Sequence, residues 1–173
     1  PAGGIAGLRY SARYIPLIEV GGDIYDICPV DGRTARLFIA DATGHGIHAS
    51  LTTMLIKGEY DMLKVGSLTP LEIVTELNNK FYRHYRSIAR YFTSFLVDIN
   101  PSAGTVAYVS SGHPAQYLIR GRTIIELGTT GRAMGFTEHT NCVMRHAEFR
   151  AGDRLLCFTD GLYEQFDGRR ELF

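Results

Sequence analysis

Two aspartates at the ends of apolar segments are the residues in this sequence best suited to chemistry. Asp23 follows two glycines, and Asp41 ends an apolar run and precedes an Ala-Thr-Gly-His-Gly segment. A hairpin would bring the two carboxylates together, and at about 4 Å they repel each other by about 4 kcal/mol at an effective dielectric constant of about 20. A protein tolerates such a pair when a cation lies between the carboxylates or when one of them keeps its proton. We therefore predict a divalent-metal site here.

A third aspartate has the same setting. Asp160 follows the apolar run 155–159 and precedes Gly161. Oxygen ligands of this kind suit Mg²⁺ and Mn²⁺, and two such cations about 3.5–4 Å apart can activate water for attack on a phosphate ester. The alternative is that each aspartate only supports a turn, because Asp-Gly is a common turn sequence. Spacing alone leaves both interpretations open.

The segments around the first two aspartates predict a β-hairpin. Residues 24–30 and 34–40 have the composition of strands, and the Asp-Gly pair between them is typical of a tight turn. Antiparallel pairing would place Asp23 and Asp41 at the same open end of the hairpin.

A helix over residues 46–64 is predicted next, and its first turn lies beside the Asp41 loop. Helix N-termini attract anions, so a phosphate group is physically reasonable at this end. His45 is a candidate general acid or phosphate contact, and Gly44 and Gly46 are candidate substrate-binding residues. A loop histidine is, however, more often only hydrogen-bonded. The apolar residues predicted to face the core of this helix are Ile47, Leu51, Met54, Leu55, Met62 and Leu63.

The remaining chain predicts a second helix and then strands. Thr69 and Pro70 are typical of a helix N-cap and first position. From residue 92 onward the pattern is that of strands, and residues 143–149 and 154–159 are predicted to form the last hairpin. The second arm is apolar throughout, so we expect it to be buried on both faces.

Bulk composition restricts the class of protein. The 173 residues suit a single domain, which we place at 8–173 after a linker at 1–7 that joins it to a longer protein. The 18 basic and 18 acidic residues balance, which argues against a general polyanion-binding surface. No apolar run approaches the roughly 20 residues of a membrane helix. Three widely spaced cysteines favour reduced thiols in a cytoplasmic protein.

Five motifs occur in an order that resembles a known family. They are Val-Gly-Gly-Asp-Ile-Tyr-Asp at 20–26, Ala-Asp-Ala-Thr-Gly-His-Gly at 40–46, Ser-Gly-His-Pro at 111–114, Ala-Gly-Asp at 151–153 and Phe-Thr-Asp-Gly-Leu-Tyr-Glu at 158–164. Together they are similar to the SpoIIE/RsbU branch of the metal-dependent (PPM, 2C-type) protein phosphatases. The resemblance implies an α+β fold: a β-sandwich of two mainly antiparallel sheets flanked by helices.

The resemblance also implies a site and a reaction. Asp23, Asp41 and Asp160 would be carboxylate ligands of two Mn²⁺ or Mg²⁺ ions, with Asp41 bridging them and the Ala42 carbonyl as a further ligand. Water activated by the metals would hydrolyse phosphoserine or phosphothreonine on a regulatory protein, typically a STAS-domain anti-sigma-factor antagonist. An upstream sensor or receiver domain is expected, and the oligomeric state stays open, a homodimer included.

The sequence departs from the family at its end. Members of the family continue with a last strand that bears an Asp-Asp motif and supplies another metal ligand, whereas nothing up to Phe173 matches that motif. We therefore expect the C-terminal part of the domain to be missing from this chain, and one cation to bind weakly.

Two other functions remain as alternatives. A catalytically impaired relative would act as a partner-binding regulatory module. A nucleotide cyclase is suggested by Gly-Gly-Asp at 21–23, but the residues that follow fit the phosphatase pattern instead.

Overall fold

The computed structural model describes residues 1–16, 21–44, 46–64, 66–87 and 91–163. Within these ranges the chain forms ten strands and two α-helices. In chain order they are β1 Ala2–Ile5, β2 Leu8–Ser11, β3 Asp23–Pro29, β4 Ala35–Ala42, α1 Ile47–Leu63, α2 Pro70–Lys80, β5 Phe92–Asn100, β6 Thr105–Ser111, β7 Gln116–Arg120, β8 Thr123–Leu127, β9 Arg145–Glu148 and β10 Arg154–Leu156.

The strands form two main antiparallel sheets. The larger sheet has the order β3-β4-β5-β6-β9, and the smaller has the order β10-β7-β8. A turn over residues 30–34 closes the β3–β4 hairpin, where the Asp31 carboxylate accepts the backbone N–H groups of Arg33 and Thr34 at 2.7 Å each. The predicted hairpin and its turn are therefore confirmed.

Alternate residues of β4 face two different cores. Phe38 and Ala40 pack in a core with residues of α1 and α2. Ile39 packs in a second core, which joins the larger sheet to Leu118 and Leu127 of the smaller sheet. Because successive side chains of a strand point to opposite faces, the larger sheet lies between the helices and the smaller sheet. This confirms the predicted α+β sandwich.

Helix α2 begins as predicted. The Thr69 side chain accepts the backbone N–H of Glu72 while the Glu72 side chain accepts the Thr69 N–H, and Pro70 occupies the first turn. This reciprocal capping box satisfies two donors that a helix start otherwise leaves unpaired.

The face predicted to be buried on α1 is wrong for four of its six residues. Ile47, Leu51, Met54 and Met62 are each more than half exposed, whereas the buried residues are Ala49, Thr52, Ile56 and Tyr60. At the start of the helix the small side chains of Ala49 and Thr53 lie against Gly22, whereas Ile56 and Tyr60 fill the core further along. No helix in the described part of the chain is long and apolar enough to cross a membrane.

The last predicted hairpin is also wrong, because its two arms belong to different sheets. β9 pairs with β6 in the larger sheet, and β10 pairs with β7 in the smaller one. The connecting turn is held at Asp153, whose carboxylate accepts hydrogen bonds from Arg120 at 2.8 Å and from the Arg150 backbone N–H at 2.8 Å. β10 lies at the edge of its sheet with Leu156 47% exposed, so this arm is not buried on both faces.

The predicted linker at 1–7 contains regular structure. Strand β1 pairs with β2 from Ala2↔Ser11 to Ile5↔Leu8. A connection to another domain stays a prediction.

Candidate metal centre

The two aspartates singled out first lie directly opposite each other. In the β3–β4 ladder Asp23 pairs with Asp41, which places their Cβ atoms about 4.5–5.5 Å apart. Asp41 lies two residues after Ile39 on β4, and Asp23 is its direct partner on β3. Both side chains therefore lie on the same sheet face as Ile39, which is turned toward the smaller sheet. The site therefore lies at one end of the interface between the two sheets.

The segment that carries Asp160 follows β10 of the smaller sheet and lies beside Asp23. The Thr159 hydroxyl donates a 2.7 Å hydrogen bond to Oδ2 of Asp23. A 3₁₀ turn at Asp160–Leu162 follows, and a Cβ built on Gly161 would lie 3.7 Å from the same carboxylate oxygen. The segment that carries Asp160 is thus in contact with the Asp23 carboxylate.

Gly22 leaves room beside the two acids. A Cβ at this position would lie 2.9 Å from the Ala42 carbonyl oxygen and 3.4 Å from Oδ1 of Asp41. The first distance is shorter than real Cβ contacts, so a side chain here would displace the Ala42 carbonyl oxygen. The Gly22 carbonyl accepts the Ala42 N–H at 3.0 Å and the Thr53 hydroxyl at 2.8 Å, which ties this glycine to β4 and α1.

The donor set suits a hard divalent cation. Asp23, Asp41, Asp160 and the Ala42 carbonyl offer only oxygen atoms, which Mg²⁺ and Mn²⁺ prefer. Within the described ranges, however, no three His, Cys, Asp or Glu side chains already lie close enough together to hold a metal ion. The assignment of all four residues as ligands therefore stays a prediction.

The predicted phosphate contacts lie at the start of α1. Gly46 is the N-cap residue of this 17-residue helix, and its carbonyl accepts the Ser50 N–H at 3.1 Å. Gly44 lies in the loop between Ala42 and Gly46. His45, the candidate general acid, lies outside the described residues. A role for these three residues in substrate binding or catalysis stays a prediction.

His113 lies behind Asp41 rather than in the solvent. Its ring is 3% exposed, and Nδ1 lies 2.8 Å from the Thr93 hydroxyl, where Thr93 is the β5 residue directly opposite Asp41. Burial lowers the pKa of His113 to about 4, although the nearby Phe158 carbonyl favours the charged ring. The imidazole is therefore neutral at physiological pH and braces the loop between β6 and β7.

No sequence pattern indicates a role for Gln116 at the site. Its amide, which is fully buried, accepts the Phe158 N–H at 2.7 Å and donates to the Phe158 carbonyl at 3.0 Å. A single glutamine at the start of a strand carries no pattern that distinguishes it from a surface residue, so only the structure reveals it.

A cavity opens beside the aspartate pair. It has a volume of about 330 Å³ and its wall includes Asp23, the aromatic rings of Tyr14 and Tyr25, and the side chains of Met54 and Lys57. A separate cavity of about 600 Å³ lies on the chain after α2 and is lined by Tyr82, Arg83, His84, Arg86 and Ser87.

A sandwich of this topology, with acids from both sheets at one end, is the architecture of PP2C-type phosphatase domains. The structure superimposes on the SiaA-PP2C domain of Pseudomonas aeruginosa with a TM-score of 0.76 and 25% sequence identity, over 88% of this chain and 61% of that one. The chain belongs to the Stage II sporulation protein E (SpoIIE) family, whose model matches residues 31–173. The predicted resemblance is thereby confirmed.

Two curated relatives from Bacillus subtilis (strain 168) are equally similar. The phosphoserine phosphatase RsbP is 25% identical over 161 residues, which cover 91% of this chain and 40% of RsbP. The phosphoserine phosphatase RsbU is 25% identical over 159 residues, which cover 91% of this chain and 47% of RsbU. This chain therefore spans less than half the length of either relative.

Proposed function

We propose that this chain is a metal-dependent protein phosphatase domain that hydrolyses phosphoserine or phosphothreonine on a regulatory protein. The observation that carries the proposal is the direct opposition of Asp23 and Asp41, with the Thr159–Asp160 segment held against Asp23. Two relatives of the same family that are named phosphoserine phosphatases support the choice of reaction.

In this proposal the acids hold two Mn²⁺ or Mg²⁺ ions. Asp41 would be a ligand of both ions, Asp23 and Asp160 would complete the carboxylate set, and the Ala42 carbonyl would add a neutral oxygen. When bound, the two cations supply a water molecule of lowered pKa and offset the charge of the phosphate group. Gly22 keeps the space between the Ala42 carbonyl and the Asp41 carboxylate open.

The protein itself orients the phosphate. The N-terminus of α1 begins at Gly46, next to the loop after Asp41, and its partial positive charge favours an anion there. Gly44 and Gly46 contact the phosphate through their backbone, and His45 provides a proton or a hydrogen bond to the departing hydroxyl group.

The substrate and setting follow the family resemblance. A phosphorylated STAS-domain protein is the proposed substrate, in a cytoplasmic bacterial signalling or stress-response pathway. An upstream sensor or receiver domain in the longer protein would control the activity.

Hydrolysis by the full-length protein tests the proposal. We expect Mn²⁺-dependent release of phosphate from p-nitrophenyl phosphate and from a phosphorylated STAS domain, reduced at least 100-fold in Asp41→Asn. The matched control is Asp31→Asn in the β3–β4 turn, whose carboxylate only caps that turn. Equal activity with Mn²⁺ and with a chelator would refute the proposal that the reaction depends on a metal ion. Tight binding of the STAS protein without hydrolysis would favour the partner-binding module instead.

A further inference from the structure

Strand β10, which leads toward Asp160, stops pairing with β7 before it reaches the site. The β10–β7 ladder ends with Leu156 opposite Tyr117. Two residues later, the Gln116 side chain binds both backbone polar atoms of Phe158, with Oε1 at 2.7 Å from the N–H and Nε2 at 3.0 Å from the carbonyl. At Phe158 the buried Gln116 side chain thus takes the place of the strand partner that the β10–β7 ladder no longer provides.

The loop that precedes Gln116 is anchored on the other sheet. His113 lies three residues earlier, and its Nδ1 lies 2.8 Å from the hydroxyl of Thr93, the neighbour of Asp41 across β4 and β5. The loop is also fixed by the Gln116 amide, which donates to the Pro114 carbonyl at 2.9 Å. The segment 113–116 therefore connects β5, the strand next to Asp41, to Phe158, which lies two residues before Asp160.

A further hydrogen bond reaches one of the acids directly. Thr159 follows Phe158 directly, and its hydroxyl donates to Oδ2 of Asp23 at 2.7 Å. Hydrogen bonds thus link Thr93 to His113, the Gln116 amide to Pro114 and Phe158, and Thr159 to Asp23. The last of them contacts a carboxylate of the site directly, and together they connect the two sheets.

We propose that Gln116 is a positioning residue of the metal centre, which sets the place of the Thr159–Asp160 segment relative to Asp23 and Asp41 by clamping Phe158. This inference rests on the proposed function, because it assumes that the acids bind divalent cations. Residues that orient metal ligands typically contribute about 10- to 100-fold to metal affinity, so the same loss is expected when the clamp is removed.

Mn²⁺ binding to the full-length protein, measured by isothermal titration calorimetry, tests the inference. Gln116→Met keeps the volume but removes both hydrogen bonds to Phe158, and we expect its Kd for Mn²⁺ to rise about 10- to 100-fold. Gln116→Glu retains an acceptor for the Phe158 N–H, and we expect an intermediate Kd. Hydrogen exchange at the Phe158 amide should be accelerated in Gln116→Met even without metal.

Leu118→Ala is the matched control for a merely structural effect. Leu118 lies two residues further along β7 and is equally buried, but it packs between the sheets and does not bond to Phe158. This variant should lose stability toward urea while its Kd for Mn²⁺ stays within about twofold of wild type.

Three results would overturn the inference. The first is a Kd for Gln116→Met within twofold of wild type, or, if that variant does not fold, such a Kd for Gln116→Glu. The second is a loss of affinity in Leu118→Ala as large as in Gln116→Met. The third is a wild-type protein that binds no Mn²⁺, which would refute the proposed function as well.

Discussion

We expect the substitution Asp41→Asn to stabilise the metal-free protein and to destabilise it, relative to wild type, once Mn²⁺ is present. Asparagine has nearly the same shape as aspartate but no charge. It therefore removes the repulsion with Asp23, which lies directly opposite in the β3–β4 ladder. The same change removes the charge that attracts a cation.

The size of the effect follows from the register. Carboxylates on directly opposite residues lie roughly 4–6 Å apart, where two unit charges repel by about 3–4 kcal/mol at a dielectric constant of 20 and about 1 kcal/mol at that of water. Asp23 and Asp41 are both half-buried. We therefore expect Asp41→Asn to raise the free energy of unfolding by about 1–2 kcal/mol in EDTA. Mn²⁺ at 100 times its Kd would stabilise the wild type by about 2.7 kcal/mol and so reverse the order.

Urea denaturation followed by far-ultraviolet circular dichroism, with EDTA and with Mn²⁺, measures both values. Asp26→Asn is the control, because Asp26 lies on β3, the strand of Asp23, but its carboxylate forms an ion pair with Lys64 at 2.8 Å. Its substitution should cost up to about 1 kcal/mol in both conditions. If Asp41→Asn destabilises the protein in EDTA, or if Mn²⁺ stabilises it as much as wild type, the electrostatic reasoning about the pair is refuted.

Three further outcomes concern the rest of the fold. Burial lowers the pKa of His113 from 6.5 to about 4, so the neutral ring stabilises the fold fully above pH 6.5. As the pH decreases to 4, the free energy of unfolding should fall by about 3 kcal/mol from this group alone. The urea midpoint of His113→Asn should lack this pH dependence. Arg36→Met leaves the Asp98 carboxylate of a buried ion pair unpaired and should cost about 3–5 kcal/mol, most of which the double substitution with Asp98→Leu should restore. Gly112→Ala should destabilise more than Gly121→Ala. Both glycines have positive φ, but a new Cβ at Gly112 would lie 2.9 Å from the Ala133 backbone nitrogen, whereas one at Gly121 would meet nothing within 4 Å.

The site could be predicted in part because local rules determine its first half. The turn sequence at Asp31 and the length of the two strands are sufficient to place Asp23 opposite Asp41, and the structure has that register. Thr159 and Gln116 could not be predicted, because their roles depend on the contact between two sheets. Nothing in a single sequence specifies which strand end meets which.

The errors have the same origin. Periodicity on α1 identifies an apolar stripe at Ile47, Leu51 and Met54, but the packing against the sheet buries a different face of the helix, which carries Ala49, Thr52, Ile56 and Tyr60. Two strand-like segments joined by a short turn, as in β9 and β10, are indistinguishable in sequence from a hairpin. Their separation depends on pairing with β6 and β7, which are distant along the chain.

The β3–β4 ladder also determines where this sequence can change length during evolution. Its seven residue pairs run from Pro29↔Ala35 to Asp23↔Asp41. One residue inserted within either strand would shift the pairing beyond it and turn one of the two acids to the helix side of the sheet. Residues added to the turn at 30–34 would leave every pair intact. Insertions and deletions among homologues should therefore accumulate at this turn, while the two strands keep their length.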